Sequence, residues 1–560
     1  MKKRYLALAI VTLLVAAMLM GCQTTPTTTQ STTAAPTTTG SGTTTQATTT
    51  APAPHGMNLE GYPIVDEPVT VDIMTRLHSS QTQYENMIVW QEMEKLTNVK
   101  VNWIVVPWAG YIERRNISFA TGDLPDAFAK SGMNVNDVMK FATSGAMIPL
   151  NPYLETYAPN LDSYLKANPV VNAGVTMLDG NIYGAPYILE SSAIRVQARM
   201  FFDVDLMGKV GGSMPKTTDD FIEYLKLIRD NDANDNGDPN DEVPLVSGSL
   251  GHIAQMTAGS FGLNMNGASH AHVDMPEGSN ELRFLPTEND YREQMKFLRT
   301  LYAEQLVDQE IFTTTSTNAL ALVSQKQAGA IVWWSTSFVP GGKEDDYTHL
   351  ERQLIGPNGH SAFTCVIGSV NNPAAFIITS KCEVPEILVR WIDILYSEEG
   401  IIWYVLGKEG LTFEWGSDGI PYYNDIIMKN PNGLSIMEAY GQYMPRIGGS
   451  DPTILKEKLY VYGEGLPQSR AASDSMKDDI IDFDNVWESF VYTSAEAEVM
   501  SSLSADINSY VNESRAKFVS GELDIFNDSG WDTYVSEFKN IGLADYLTLY
   551  RIGYDRFMGN

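Results

Sequence analysis

An acidic segment at residues 232–242 carries oxygen-bearing side chains at alternating positions. Those side chains belong to Asp232, Asn234, Asn236, Asp238 and Asn240, and the acidic pair Asp241 and Glu242 follows them. Alternation points the oxygens toward one centre, and Gly237 allows the tight turn between them, as in the first half of a calcium-binding loop. The final acidic pair comes one residue before the bidentate Glu of a full EF-hand. We predict a compact, structural calcium site; the alternative is an acidic surface turn that binds no metal.

Signatures of catalysis are absent from the sequence. It contains no GxSxG, no HExxH, no phosphate-binding glycine-rich loop with lysine and no CxxC pair. His252, His270 and His272 lie close in sequence but lack metal-ligand spacing. Carboxylate pairs suited to glycoside hydrolysis occur by chance among 69 acidic residues, so they do not identify an enzyme. We therefore predict a protein that is not an enzyme.

Aromatic and polar side chains follow several predicted strands. In open α/β sheets, ligands bind beyond the carboxyl ends of the strands. The residues at these ends are Arg76, His78, Trp108, Lys130, Ser131, Trp333 and Trp334. Flat aromatic rings suit the apolar faces of sugars, and their N–H groups donate hydrogen bonds. We predict that this set lines a cleft and that at least one of the adjacent tryptophans faces it; for any single tryptophan, core packing is the alternative.

The elements that position these residues alternate between strand and helix. Strands are predicted at Val69–Thr75, Val99–Val106 and Pro125–Ala129, with helices at Tyr84–Leu96 and Tyr111–Ala120 between them. This β-α-β-α-β order is typical of a doubly wound sheet, so the fold class is α/β.

Later segments continue the alternation. A turn at Asp179–Pro186 leads into a strand, and Pro215–Arg229 is a predicted helix with Thr217 as its N-cap. Ala328–Trp334 is a predicted strand. Val384–Leu406 contains one or two helices, and Ser494–Phe557 is mostly helical.

The N-terminal 22 residues have the pattern of an export signal. A basic start precedes an apolar run from Leu6 to Met20 of about 15 residues, short of the roughly 20 that a spanning helix needs. The run ends at Cys22, which resembles the lipidated cysteine of a bacterial lipobox; the alternative is an ordinary signal peptide with an incidental cysteine. Residues 23–56 are rich in Thr, Ala and Pro and are predicted to be a disordered tether.

The remaining body is large enough for two or three domains. The net charge of the whole chain, −31, argues against nucleic-acid binding, which needs a basic surface. It also makes a strongly anionic ligand less favourable unless a local basic pocket overrides it. Beyond Cys22 there are only Cys365 and Cys382, and sequence leaves open whether they pair.

Several motifs in order along the chain resemble the family 1 extracellular solute-binding lipoproteins of ABC importers, in a subgroup linked to oligosaccharides. The matching stretches are Ala120–Asp126, Asp179–Pro186, Pro215–Phe221, Asp241–Pro244, Ser397–Gly400, Gly407–Gly410, Lys517–Gly521 and Trp531–Tyr534.

The resemblance implies two α/β lobes of the type 2 periplasmic-binding-protein fold, each a mostly parallel sheet flanked by helices, with a helical C-terminal region. The expected boundaries are 57–178 plus about 306–375 for the first lobe and 179–305 plus about 376–560 for the second. It also adds Tyr187, Glu190 and Arg446 as ligand contacts from the second lobe. The calcium ligands it implies are Asp232, Asn234, Asn236, the backbone of Asp238, Asp241 and Glu242.

Together these features predict a monomeric binding protein anchored by lipid on the outer face of the cell membrane. Its small-molecule ligand is predicted to be a carbohydrate, most simply an oligosaccharide, delivered to the transmembrane subunits of an ABC permease. Two alternatives remain: a binder of peptides or other polar nutrients, and a surface-anchored glycoside hydrolase.

Overall fold

The structure, a computed structural model, describes residues 54–559 apart from 191, 277, 342–345, 418 and 460–466. The predicted signal peptide, Cys22 and the tether up to residue 53 lie outside the described residues. Pro54–Gly56 form a 3₁₀ turn, so the last three residues of the predicted disordered tether are ordered. Within the described part of the chain, no helix combines the length and apolar character needed to cross a bilayer.

The described residues form strands and helices in alternation. The strands are β1 Val69–Leu77, β2 Val99–Pro107, β3 Ala127–Ala129, β4 Ala185–Leu189, β5 Arg199–Asp203, β6 Val243–Ser247, β7 Val273–Asp274, β8 Arg283–Phe284, β9 Ala328–Trp333, β10 Tyr347–His349, β11 Val370–Ile378, β12 Phe413–Trp415, β13 Pro421–Tyr423 and β14 Ile454–Leu455. The helices are α1 Ile88–Thr97, α2 Trp108–Thr121, α3 Val135–Thr143, α4 Asn151–Tyr157, α5 Pro159–Ala167, α6 Pro169–Val175, α7 Ser192–Arg195, α8 Val204–Lys209, α9 Thr218–Arg229, α10 Leu250–Thr257, α11 Asn289–Ala303, α12 Ser316–Ser324, α13 Pro385–Asp393, α14 Glu398–Val405, α15 Asp425–Met428, α16 Ile436–Tyr440, α17 Pro467–Met476, α18 Ser494–Ser520, α19 Asp528–Ile541 and α20 Leu543–Phe557.

The larger sheet has six strands in the order β14-β4-β11-β3-β1-β2. β1 pairs in parallel with β2 and β3, β14 pairs in parallel with β4, and only β11 runs against its neighbours. Helices pack on the sheet, and an apolar core that includes Ile73, Trp90 and Trp391 fills the space between. Burial of these large side chains supplies the main stabilising free energy of this lobe.

The smaller sheet has four strands in the order β10-β5-β9-β6. β6 and β9 are parallel, while β5 runs antiparallel to both β9 and β10. Its core combines α9, α10 and α11 with the C-terminal helices, through residues such as Phe221, Met295 and Phe538. The predicted helical C-terminus is confirmed as α18, α19 and α20.

Strand pairing divides the chain differently from the predicted lobe boundaries. Strand β9, expected in the first lobe, pairs with β5 and β6 of the smaller sheet. Strands β4 and β14, expected in the second lobe, belong to the larger sheet. The sequence assigned these three strands to the other lobe because their pairing partners lie far apart along the chain, and the local pattern of a strand does not identify its neighbour.

Local sequence explains why individual elements begin where they do. At α9, the Thr217 side chain accepts from the backbone N–H of Asp220, whose carboxylate accepts from the N–H of Thr217, a capping box. At the predicted turn before β4, the side chain of Asp179 accepts from the N–H of Asn181 and the hydroxyl of Tyr183. Both predictions are confirmed.

Three segments cross between the two sheets, from β4 to β5, from β10 to β11 and from β14 to the C-terminal helices, and they contact one another. Val196, in the first crossing, forms a β-bridge with Val366 in the second. Glu488, in the third, is buried, and its carboxylate accepts hydrogen bonds from the backbone N–H groups of Ser369 and Val370. A Cβ atom on Gly368 would lie 2.1 Å from the Glu488 carboxylate, so this close approach requires glycine.

Candidate functional site

The carboxyl ends of β1 and β2 bring three predicted ligand contacts together. Register pairs Leu77 with Pro107, so Arg76, His78 and Trp108 meet at one edge of the larger sheet. The Arg76 guanidinium lies 3.7 Å from the Trp108 ring centroid, and the His78 ring lies 5.8 Å from it in an edge-on arrangement. This geometry joins a cation to an aromatic face, an attractive contact that fixes the orientation of the ring.

Lys130, at the end of β3, has a different role from the one predicted. Its side chain is fully buried, and its ammonium donates to the carbonyl oxygens of Pro445 at 2.7 Å and Ile447 at 2.6 Å. It also forms an ion pair of 3.0 Å with Asp451. Burial lowers the pKa of Lys130 to about 8, against the opposing effect of Asp451. Lys130 therefore positions the 445–451 loop and has no exposed surface with which to reach a ligand.

Ser131 is also buried rather than exposed to the cleft. Its hydroxyl donates to the carbonyl oxygen of Ala374 at 2.5 Å and accepts from the N–H of Met133 at 3.1 Å. These bonds join β3 to β11. The position of Ser131 just after β3 indicated the correct edge of the larger sheet. Its hydroxyl, however, already has backbone hydrogen-bond partners.

The 445–451 loop closes over the same edge. The Arg76 guanidinium donates to the carbonyl oxygen of Gly449 at 3.1 Å. Gly448 lies against the Trp108 ring, with its φ of 83° in the left-handed region. Arg446 is 5% exposed and belongs to this side of the molecule, not to the second lobe as predicted.

Positive charge exceeds negative charge among these buried groups. Arg76, Lys130 and Arg446 lie near the single carboxylate of Asp451, and both arginines oppose protonation of Lys130. Burial lowers the pKa of Arg76 and of His78, and the positive charge of Lys130 lowers that of His78 further. In a protein with a net charge of −31, this edge is a local cationic environment.

The smaller sheet contributes an aromatic group at the end of β9. The rings of Trp333 and Trp334 lie 4.8 Å apart, and the His252 ring is 5.9 Å and 5.6 Å from them. Trp333 is 5% exposed and packs in the core, whereas Trp334 is 44% exposed. Trp334 is therefore the member of the pair that offers a free aromatic face.

A cavity of about 140 Å³ lies beside these rings. Its polar lining residues are Gln197, His252 and Gln255, none of which the sequence identified as ligand contacts. Burial lowers the pKa of His252, so its ring is neutral near pH 7. His252 lies just after β6, whose parallel pairing with β9 brings the two strand ends together; knowledge of that pairing would have been needed to find it.

Tyr187 and Glu190 do not join either group. Tyr187 is 4% exposed within the core of the larger sheet, where it pairs in register with Asn372. Glu190 is exposed, and its backbone N–H donates to Leu455 at 3.0 Å. The strand alternation that places Tyr187 inward was not readable from the turn that precedes it. The structure thus gathers Arg76, His78 and Trp108 at an edge of the larger sheet, and Trp333 and Trp334 at the end of β9 in the smaller sheet.

The acidic loop folds back on itself as the alternating pattern predicted. Both carboxylate oxygens of Asp232 accept from backbone N–H groups, those of Asn236 at 3.1 Å and Gly237 at 2.9 Å. The Asn236 amide donates to Asp241 at 2.7 Å. Gly237 has a φ of 90°, which confirms its role in the turn. Hydrogen bonds, chiefly from Gln327, lower the pKa of Asp241.

The oxygen atoms of this loop fit a calcium ion in part. Among the described residues, no group of three or more His, Cys, Asp or Glu side chains is arranged to hold a metal. Glu242 nevertheless has one carboxylate oxygen, Oε2, that is buried without a hydrogen-bond partner, while Oε1 accepts from Ala233 at 2.7 Å. Burial raises the pKa of Glu242. An unsatisfied buried carboxylate oxygen beside Asp and Asn oxygens matches the hard ligands that calcium prefers.

Two sheets joined by crossing segments, with aromatic and cationic side chains at their strand ends, define a two-lobed binding protein. Residues 78–401, more than half of the chain, match the bacterial extracellular solute-binding protein family, and the chain belongs to that family.

Relatives cover nearly the whole described chain. FusA, a fructooligosaccharide ABC transporter substrate-binding protein of Streptococcus pneumoniae serotype 4, is 28% identical over 499 residues, 84% of this chain and 87% of FusA. Lipoprotein LipO of Bacillus subtilis is 26% identical over 497 residues, 84% of this chain and 90% of LipO. Structures of S. pneumoniae FusA with kestose, and of its EF-hand mutant with fructo-nystose, each have a TM-score of 0.73 and 25% identity, covering 88% of this chain and 100% of theirs.

Proposed function

We propose that this protein captures an oligosaccharide in the cleft between its lobes and delivers it to an ABC permease. The observation that carries the proposal is the free face of Trp334 beside a polar-lined cavity, together with a second aromatic group at Trp108 on the larger sheet. Aromatic faces pack against the apolar faces of sugar rings, while polar side chains orient the hydroxyls. The fructooligosaccharide-binding relative FusA supports a carbohydrate as the ligand.

Closure brings the two groups together around the ligand in this proposal. The lobes consist of 54–189 with 370–455 and of 199–349 with 494–559, following the two sheets and the C-terminal helices that pack with the smaller one. The crossing segments between them bend while Glu488 keeps the second and third crossings joined. Arg76 and His78 donate hydrogen bonds from the first lobe, and Gln197 and Gln255 from the second. Lys130, Ser131, Tyr187 and Arg446 support the cleft from within.

The location follows from the N-terminal sequence and the family. We propose that Cys22 carries the lipid that anchors a monomeric protein at the outer face of the cell membrane, with residues 23–53 as the tether. The lipoprotein relative LipO supports this arrangement. One lipidated residue with several acyl chains holds a protein firmly, whereas a single chain does not.

Two tryptophan variants test the ligand and the cleft together. Isothermal titration of the mature protein with kestose and with longer fructooligosaccharides should show binding. Trp334→Ala should weaken it at least tenfold, because the stacking face is lost. Trp415→Ala is the matched control: Trp415 is 37% exposed on the β12–β13 hairpin and lines neither described pocket beside β9 and α10. Equal effects of the two substitutions would contradict the proposed cleft.

The alternatives are separated by two further measurements. A thermal-shift screen across glycans and peptides identifies the ligand class, since a ligand stabilises the state it binds. A shift with peptides and none with glycans would remove the carbohydrate assignment. Incubation with the bound glycan should yield no new reducing ends; turnover would establish a glycoside hydrolase instead.

We propose further that residues 232–242 bind a structural calcium ion. Its ligands are Asp232, Asn234, Asn236, the backbone carbonyl of Asp238, Asp241 and Glu242. The unpartnered Oε2 of Glu242 supports this proposal, as does the existence of an EF-hand in FusA. Gln327 connects the loop to the start of β9 through its 2.8 Å hydrogen bond to Asp241, so bound calcium would stiffen the smaller sheet's edge.

Chelation tests the metal site. EGTA should lower the melting temperature and added calcium should restore it, because an ion at 100 times its Kd stabilises the fold by about 2.7 kcal/mol. Asp232→Asn should abolish the response. Asp230→Asn is the control, since Asp230 is an exposed carboxylate two residues away that pairs with Arg229. An unchanged melting temperature in the wild-type protein would rule the site out.

A further inference from the structure

A second, larger cavity of about 350 Å³ lies in the second lobe, between helices α10, α11 and α18. Asn508, Asn512 and Arg515 reach it from one face of α18, at the spacing of successive helical turns. Helix α18 lies outside residues 78–401, the segment that matches the family, so Asn508, Asn512 and Arg515 line this pocket from beyond that segment.

The pocket contains an unbalanced positive charge. Of the described residues that line it, only Arg515 has a charge at neutral pH: none is acidic, and the pKa of His272 is lowered to about 4 by burial and by Arg515. The Arg515 Nε atom is buried without a hydrogen-bond partner. A guanidinium is permanently charged and its planar donors suit a carboxylate, so an unpaired one beside a cavity favours an anion.

A buried acceptor completes the chemistry of the pocket. Asn264 is 6% exposed, and its Oδ1 has no hydrogen-bond partner. Burying an acceptor without a hydrogen-bond donor costs free energy, and a ligand that supplies the donor recovers that cost. A molecule that satisfies both groups offers an anionic group to Arg515 and a hydrogen-bond donor to Asn264, and a sugar acid has both in its carboxylate and its ring hydroxyls.

We propose that this pocket binds the carboxylate of a sugar acid. The acid is either a free monosaccharide or the acidic end unit of an oligosaccharide. His252 and Gln255 line both this pocket and the cavity beside Trp334, so a chain held at Trp334 would place its next unit here. Only this second source depends on the proposed function.

Calorimetry with matched acidic and neutral sugars tests the proposal on the full mature protein. The first arm compares D-galacturonate with D-galactose. The second compares a neutral fructooligosaccharide with the same chain ending in a uronate. We expect at least a tenfold preference for the acid in one arm. A preference in the first arm identifies free acid as the source, and a preference confined to the second identifies the end unit.

Substitutions assign the preference to Arg515. Arg515→Gln should abolish it, whereas Lys517→Gln should retain it, because Lys517 lies on the same helix, pairs with Glu513 and does not line the pocket. Asn512→Asp changes an exposed residue that lines the pocket, and it should weaken acid binding at least tenfold because the new carboxylate would pair with Arg515.

The results separate this pocket from the proposed function. No preference in either arm of the wild-type protein, or a preference in Arg515→Gln or Asn512→Asp as large as that of the wild type, would overturn the proposal. Binding of free galacturonate through Arg515 without binding of any neutral oligosaccharide would refute the proposed function and leave the pocket established.

Discussion

Replacing Lys130 with methionine removes a buried ammonium while keeping most of the side chain's volume. That ammonium donates to two carbonyl oxygens of the 445–451 loop and pairs with Asp451. Hydrogen bonds to charged groups contribute about 1.5–3 kcal/mol each, and breaking a buried ion pair costs about 3–5 kcal/mol. Asp451 keeps its hydrogen bond from Tyr404 at 2.8 Å, which limits the loss. We expect the free energy of unfolding to fall by about 3–5 kcal/mol.

Urea unfolding, followed by tryptophan fluorescence, measures this change. Lys95→Met is the control: Lys95 is an exposed lysine paired with Glu92, and its loss should cost less than about 0.5 kcal/mol. In a double-mutant cycle, Lys130→Met with Asp451→Asn should cost at least about 1 kcal/mol less than the sum of the single changes. A loss of less than about 1 kcal/mol in the free energy of unfolding for Lys130→Met would refute the inference that Lys130 holds this loop in place.

Two further substitutions test other parts of the structure. Glu496→Gln should lower the free energy of unfolding by about 1–2 kcal/mol at pH 7, since two hydrogen bonds from Arg556 lower the pKa of this partly exposed carboxylate from 4.5 to about 2. A carboxylate with a depressed pKa stabilises the fold above pH 4.5, and this stabilisation is lost as the pH falls from 4.5 through 2. Urea titrations should therefore show the difference in unfolding free energy between the wild type and Glu496→Gln shrinking over that range; a constant difference would contradict this. Gly448→Ala should lower the free energy of unfolding by about 1–2 kcal/mol more than Gly449→Ala does. Both glycines have positive φ, but only a Cβ atom on Gly448 would meet the Trp108 ring, at 2.6 Å. Equal unfolding midpoints for the two variants would contradict this, because they would show that the ring moves aside without cost.

Local sequence signals predicted the elements of the fold well. The strand predicted at Val69–Thr75 is present as Val69–Leu77, and the helix predicted at Pro215–Arg229 begins after its N-cap, Thr217. Val384–Leu406 contains two helices. These signals are periodicity and capping, which act within a few residues. Sheet membership escaped prediction because it depends on partners more than a hundred residues away, as with β14 beside β4.

The candidate site was predicted in part for the same reason. Strand ends indicated the correct edge for Arg76 and Trp108, because parallel strands end together. Lys130 is buried beside Asp451, which lies 321 residues further along the chain. The sequence around Asp451 does not indicate that it pairs with a lysine. Arg515 escaped because a single arginine on a helix resembles any solvated charge until its surroundings are known.

The order of strands in the larger sheet also determines when the sheet can be completed during synthesis. Its outermost strand, Ile454–Leu455, lies beside Ala185–Leu189, and Val370–Ile378 separates the latter from the strands nearest the N-terminus. A chain made from its N-terminus cannot finish this sheet until about residue 455 of 560 has been synthesised. Pairings of such long range form slowly. The nascent chain therefore spends most of its synthesis without a completed larger sheet.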